Sequence, residues 1–307
     1  MALNKQIWLS AIQENFFPND SFAVRSVDDS AFVNFKTVHV PNAGAPSGVV
    51  INRAFNQKGA SAGTAQRTDN DLTYDIDELT TNPVHIENIE MVELSYDKRA
   101  SILANDRQQL QDTAAQNLLY KWYQATGAIE TTGAARTAHT STTATGNRKK
   151  ITKANVLALA TKFNQDNVPA TGRVLLLDAV MYADLLDDLT TTELSAFLAS
   201  ADAQNGTVGK LYGFDVMMRS QVLRVAAASG HAIINWVGGT AAATELAAGL
   251  AWQKDCVSRA MGETKMFDST DNPQYYGDIY SFLMRTGGSK RRYDSKGVCA
   301  IIEVATT

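Results

Sequence analysis

From Ser95 to Thr126 the sequence SYDKRASILANDRQQLQDTAAQNLLYKWYQAT holds no proline and no glycine. Strong helix formers fill it: Ala100, Leu103, Ala104, Gln108, Gln109, Leu110, Ala114, Ala115, Leu118 and Leu119. Ser95 or Asp97 can cap its start, and Gly127 fits its stop. Ile102, Leu103, Leu110, Ala114, Leu118 and Trp122 recur at three- and four-residue steps, which makes one apolar stripe. Lys98, Arg99, Asp106, Arg107 and Asp112 fall on the other side. A helix of about 30 residues spans about 45 Å, well beyond the three turns usual in globular proteins. Such an element is a strut, and the rest of the chain has to be arranged along it.

What surrounds the strut is mostly short strands and turns. Residues 1–33 begin with an amphipathic stretch (Leu3, Ile7, Trp8, Ala11, Ile12), which Pro18 ends. Their aromatic residues, Trp8, Phe16, Phe17 and Phe22, need a surface to cover. Residues 34–94 read as a long two-stranded hairpin. Lys36, Val38 and Val40 alternate with Phe35, Thr37, His39 and Pro41 on the way out. Leu72, Tyr74 and Ile76 alternate with Thr73, Asp75 and Asp77 on the way back. The tip, Asn56–Asn70, has no large apolar residue and reads as polar and flexible. A lone two-stranded hairpin is marginal in water, so this one is expected to lie across another subunit.

Beyond the strut, Ala128–Lys150 is rich in Thr, Ala and Gly and reads as an exposed, flexible loop. Ile151–Asp166 reads as a helix capped by Thr152, Arg173–Leu177 as a buried strand, and Ala179–Leu189 as a helix after it. Phe214–Arg219 and Ala232–Trp236 read as further strands, so this part is an α/β-type module around one sheet. Val257–Phe267 and Asp278–Arg285 are extended runs, Tyr293–Gly297 a turn, and Val298–Val304 a buried closing strand. No internal repeat is present.

Composition narrows the function. Hydrophobic residues make up 45% and charged residues 20%, the proportions of an ordered soluble protein. The formal net charge of −4 argues against a generic nucleic-acid binder. No apolar run approaches the roughly 20 residues that cross a bilayer, so no membrane partner is expected. The N-terminal residues lack the regions of a signal peptide, which points to folding in a cytoplasm. Cys256 and Cys299 lie in apolar segments and read as small buried hydrophobes.

Motifs for chemistry are missing. There is no P-loop, dinucleotide fingerprint or nucleophile elbow. His39, His85, His139 and His231 have no ligand partner at metal spacing. His139, in the Thr-rich tract, is poorly placed for a catalytic base. No catalytic, cofactor-binding or metal residue is expected, and no cofactor. Two basic runs, Arg148-Lys149-Lys150 and Lys290-Arg291-Arg292, can touch phosphate, but short charge runs usually lie on solvated turns or pair with acidic neighbours such as Asp187 and Asp188.

The order of these parts resembles the major capsid protein of tailed double-stranded DNA bacteriophages, the HK97-type fold. Arg173–Asp188, RVLLLDAVMYADLLDD, is similar to the strand-then-helix of that family's axial domain. Gly209–Val222, GKLYGFDVMMRSQV, resembles its G-x-x-x-G-F-x-V strand entry, and Tyr275–Val304 its long peripheral strand and closing strand. The resemblance implies an α+β fold with an N-terminal arm at 1–33 and an extended β-hairpin loop with entry strands at 34–94. It places the spine helix of the peripheral domain at 95–127 and the axial domain at 128–250, including a flexible 128–150 loop. Peripheral strands follow at 251–296, and an axial closing strand at 297–307.

By that resemblance the function is structural, not enzymatic. Copies assemble as hexamers and pentamers into an icosahedral shell that encloses double-stranded DNA without sequence-specific binding. Assembly takes place in the host bacterial cytoplasm and ends in the virion. Only about 30 residues precede the hairpin, too few for a self-supporting scaffolding domain. A separate scaffold protein is then implied, or a chain already trimmed, together with a portal and room for decoration proteins. Some family members join subunits by a Lys–Asn isopeptide bond. Lys36 and Lys58 lie in the hairpin, but no Asn acceptor or Glu base can be assigned, so that chemistry is not carried over. Two alternatives stay open: an encapsulin-like nanocompartment of the same fold, and a soluble α+β binding protein or enzyme.

Overall fold

Arg173–Asp178 (β9) is buried along its whole length, and a strand of that kind has to be covered on both faces. The computed structural model describes residues 22–44, 49, 51–52, 67–87, 98–202, 206–234 and 242–306. In it β9 lies in the middle of a seven-stranded mixed sheet. It pairs in parallel with Phe214–Arg219 (β11) and antiparallel with Leu246–Gln253 (β13). Thr207–Leu211 (β10) flanks β11. Val298–Ile302 (β16) and then Ile129–Glu130 (β6) extend the other side, and Leu223–Val225 (β12) joins β13.

Alternate residues of the sheet serve two cores. Leu175, Leu177, Phe214, Val216, Ala251, Cys299 and Ile301 face three helices: Lys153–Gln165 (α2), Ala179–Asp188 (α3) and Thr191–Ala199 (α4). Val174, Leu176, Leu250, Trp252, Ala300 and Ile302 pack instead with Phe22 and with Leu118, Leu119 and Trp122 of the long helix. Both cysteines are free and buried, and burial pushes both thiols up.

The long helix, Lys98–Trp122 (α1), has 25 residues and so runs about 37 Å. Its C-terminal end belongs to the core just described. Further back, Leu103, Leu110 and Ala114 pack on a second sheet, against Ile86, Met266, Tyr280, Phe282 and Met284. That sheet is built on one long hairpin, Val257–Asn272 (β14) with Gly277–Lys290 (β15). Val27–Asp28 (β1) flanks β14, while Asp77–Thr80 (β4) and Val84–Glu87 (β5) pair with successive parts of β15. The strut is therefore the element that ties two sheets together.

A separate hairpin, Thr37–Asn42 (β2) with Asn70–Asp75 (β3), puts Val38, Val40 and Tyr74 inward with Ile76, against Ala260 of β14. The period-two reading of its arms is right. Its return arm ends sooner than expected, because β4 and β5 leave to join the second sheet. Positions 53–66, most of the polar tip, and 1–21, most of the N-terminal arm, lie outside the described residues, as do 88–97.

Other expectations need correction. The helix stops at Trp122, not Gly127. Tyr123 turns away to donate from its hydroxyl to the His231 carbonyl at 2.6 Å, and Gly127 sits in the following turn at φ 73°. The stretch 128–150 is not a flexible loop. It carries β6, Ala135–Thr137 (β7) and Asn147–Lys149 (β8), and β7 and β8 form a small antiparallel pair. Its threonines supply hydrogen bonds where apolar side chains are few: Thr131 Oγ1 donates to the Lys149 carbonyl at 2.7 Å. Helix α4 was missed, although Thr190 and Glu193 form a capping box at its start. The expected strand at 232–236 amounts, among the described residues, to one bridge between Val225 and Ile233.

Candidate functional site

Six charged or ionisable side chains meet where β7, α3 and the tail behind β16 converge. Asp178 closes β9 and caps α3: its Oδ1 accepts from the Val180 and Met181 amides at 2.9 and 2.7 Å. Its Oδ2 accepts from His139 Nε2 at 2.9 Å. Arg136 on β7 reaches three groups. Its Nε donates to Asp184 Oδ2 at 2.7 Å, its Nη2 to Glu303 Oε1 at 2.5 Å, and its Nη1 to His139 Nδ1 at 2.7 Å. Lys150 Nζ lies 3.5 Å from Asp184 and 3.4 Å from Asp187. Glu303 is fully buried, and burial pushes its carboxyl up to about 7, against the pull of Arg136 and His139.

Among the described residues the polar contacts of His139 run to Arg136, Asp178 and Glu303, with no hydroxyl or thiol hydrogen-bonded to the ring. Among the described residues no group of three or more His, Cys, Asp or Glu can hold a metal ion. What the cluster does is mechanical: it pins the 136–150 segment and the C-terminal tail to the end of α3. Placing His139 in a floppy tract was wrong for the same reason. The sequence does offer Asp178 as a cap before an apolar helix, but Arg136 and Glu303 are 167 positions apart and no local pattern joins them.

Much of the two basic runs is engaged inside the molecule. Arg148 is buried on β8, and Lys150 meets Asp184 and Asp187. Lys290 Nζ donates to Gln124, Arg291 lies 3.5 Å from Asp29, and Arg292 lies 2.8 Å from Asp294. Of the other histidines, His39 pairs with Asp71 at 2.7 Å, His85 packs on the Tyr275 ring, and His231 lies 3.4 Å from Glu130. They are scattered, as the spacing suggested.

Apolar groups face outward mainly on the projecting parts. Phe32 and Phe35, at the root of the β2–β3 hairpin, are 70% and 90% exposed, and Ile51 beyond β2 is 85% exposed. At the far end of β14–β15, Phe267, Tyr275 and Tyr276 are exposed as well. Phe35 and Tyr276 hold φ 53° and 51°, a backbone region that aromatic residues seldom occupy. No described helix is long and apolar enough to cross a membrane. Exposed apolar groups of this kind suit contact with another macromolecule.

No family model and no curated protein matches the sequence. Solved structures do match. The capsid of cyanophage P-SCSP1u aligns with a TM-score of 0.62 at 18% identity, over 92% of this chain and 86% of its own. The capsid of Ralstonia phage GP4 gives 0.61 at 13%, over 96% and 91%. A virus-like particle from Pyrococcus furiosus gives 0.55 at 9%, over 97% and 99%. Similarity that spans each chain almost from end to end, at identities this low, is similarity of architecture: the chain has the HK97-type fold of these capsid structures.

Proposed function

We propose that this chain is the major capsid protein of a tailed double-stranded DNA bacteriophage, a shell-building subunit rather than an enzyme. The observation that carries the reading is the alignment over more than nine-tenths of the chain with phage capsid structures. The roles follow the order of parts. Residues 1–33 are the N-terminal arm, 34–76 the extended loop, 98–122 the spine helix, 128–250 and 297–307 the axial domain, and β4, β5 and 251–296 the peripheral strands. Copies assemble through heterologous contacts into hexamers and pentamers. Each hairpin lies over a neighbour, so weak contacts multiply by valency. The exposed Phe32, Phe35 and Ile51 are suited to such a contact.

DNA is enclosed without sequence reading, which suits a net charge of −4 and basic runs largely engaged within the subunit. A scaffold protein and a portal are partners during assembly in the host bacterial cytoplasm, decoration proteins are further candidates, and the virion is the final location. A shell around protein cargo is the second reading, since a virus-like particle also shares the fold, at a lower TM-score of 0.55. The contents of purified particles separate the two. Nuclease-protected double-stranded DNA supports the capsid, and a co-purifying cargo protein with no DNA supports the compartment.

A further inference from the structure

The charge count in the Arg136 cluster does not close. With Asp187 left out as a solvent-exposed partner of Lys150 at the rim, Arg136 and Lys150 offset Asp178 and Asp184 among the buried groups, which leaves Glu303 over. Glu303 is fully buried, where an extra carboxylate is strongly disfavoured. One more proton restores neutrality, and it can sit on the His139 ring or on the Glu303 carboxyl.

The hydrogen bonds choose between them. A guanidinium only donates, so His139 Nδ1, 2.7 Å from Arg136 Nη1, has to accept. Nε2 faces the Asp178 carboxylate at 2.9 Å and therefore carries the ring hydrogen. The imidazole is thus fully used in its neutral form. Glu303 Oε1 takes the Arg136 bond. Its Oε2 is buried, makes no hydrogen bond, and lies 3.4 Å from His139 Nδ1. That orphaned oxygen is where a hydrogen belongs.

We propose that Glu303 carries a proton in the folded chain, and that this proton acts as a clasp between the C-terminal tail and the 136–150 segment. Its removal leaves an unbalanced buried charge and loosens the backbone bonds that join the two. Those are Lys149 N–H to the Val304 carbonyl at 2.9 Å and Thr306 N–H to the Asn147 carbonyl at 3.0 Å, with Thr131 N–H to the Ile302 carbonyl at 3.0 Å just ahead of the segment. The ionisable groups acting on Glu303 are Arg136 from β7, His139 from the loop after it, and Asp178 from the end of β9. On the β13 side the Glu303 amide simply donates to the Ala247 carbonyl.

The upward push on the Glu303 carboxyl, from 4.5 to about 7, agrees. A group raised in the folded state contributes stability that is full below its unfolded value and is lost as pH rises through the folded one. For Glu303 the window runs from 4.5 to about 7, and within it each pH unit changes the folding constant by about tenfold.

The test is infrared difference spectroscopy on the full chain with carbon-13-labelled glutamate, titrated from pH 5 to 9, with amide exchange measured alongside. The expected result is a protonated-carboxyl band that fades with a midpoint near neutrality and is missing from Glu303→Gln. After correction for intrinsic rates, exchange at Lys149 and Thr131 should accelerate as the band fades in the wild type, and stay flat in the variant. If Glu303→Gln does not fold, the wild-type titration decides with His139→Gln, which should shift the midpoint. A band that titrates only in the ordinary carboxylate range, one that survives in Glu303→Gln, or a midpoint untouched by His139→Gln would overturn the proposal.

Discussion

Trp122 is where the parts of this molecule meet. Its ring is fully buried, 5.5 Å from Trp252 of the first sheet and edge-on to Phe22 at 6.0 Å. Its Nε1 donates to the Ser258 carbonyl on β14 of the second sheet at 2.8 Å. Trp122→Ala should cost about 3–5 kcal/mol, read by urea unfolding of the unassembled subunit. Gly288 on β15 lets the ring come this close. A Cβ there would stand 2.8 Å from Leu118 Cδ2 and 2.7 Å from the Ser258 oxygen. Gly288→Ala is therefore expected to cost about 1–3 kcal/mol by overpacking, and an unchanged melting temperature would mean the glycine has another purpose. The apolar stripe already placed Trp122 in a core. Its hydrogen-bond partner, 136 positions away, has no local signal, and neither has the Arg136–Glu303 pair.

At the scale of elements, the sequence was clearest where period and length agreed. Helices α1, α2 and α3 and strand β9 could be read because each has a sustained apolar pattern and, for α2, a capping residue that the structure uses. β14 was read too short because its end beyond Phe267 is exposed and polar, and β15 because Thr286–Lys290, with two glycines, continues past the apolar run. Strands β6 to β8 were missed because threonine hydrogen bonds and tertiary packing, not hydrophobicity, hold them. Leu110→Pro removes a backbone donor within α1 and clashes with the preceding turn, at a cost of about 3 kcal/mol or more. Loss of soluble or assembling protein is expected, and normal particles would contradict a continuous helix through Leu110. Deleting 56–66 should leave the subunit's own unfolding midpoint nearly unchanged, since the paired rungs 37–42 and 70–75 remain. Particles should then melt earlier. An unfolded subunit would show that the tip belongs to a core.

At the scale of the whole molecule, an architecture shared at identities of 9–18% is one in which packing pattern persists while residues change. The basic run at 290–292 fits that reading. Replacing Lys290, Arg291 and Arg292 together with Gln should leave DNA affinity in a gel shift almost unchanged, because their charges already meet Gln124, Asp29 and Asp294. Particle melting should fall instead, by an amount that depends on salt. A large loss of DNA binding with unaltered melting would make the run a nucleic-acid site.

The most direct test of the central claim is sedimentation of the purified full chain, with and without scaffold protein and across a range of salt, with electron micrographs of the fast fraction. The account predicts large, closed icosahedral particles built from hexamers and pentamers. Monomers or dimers under every condition would contradict it.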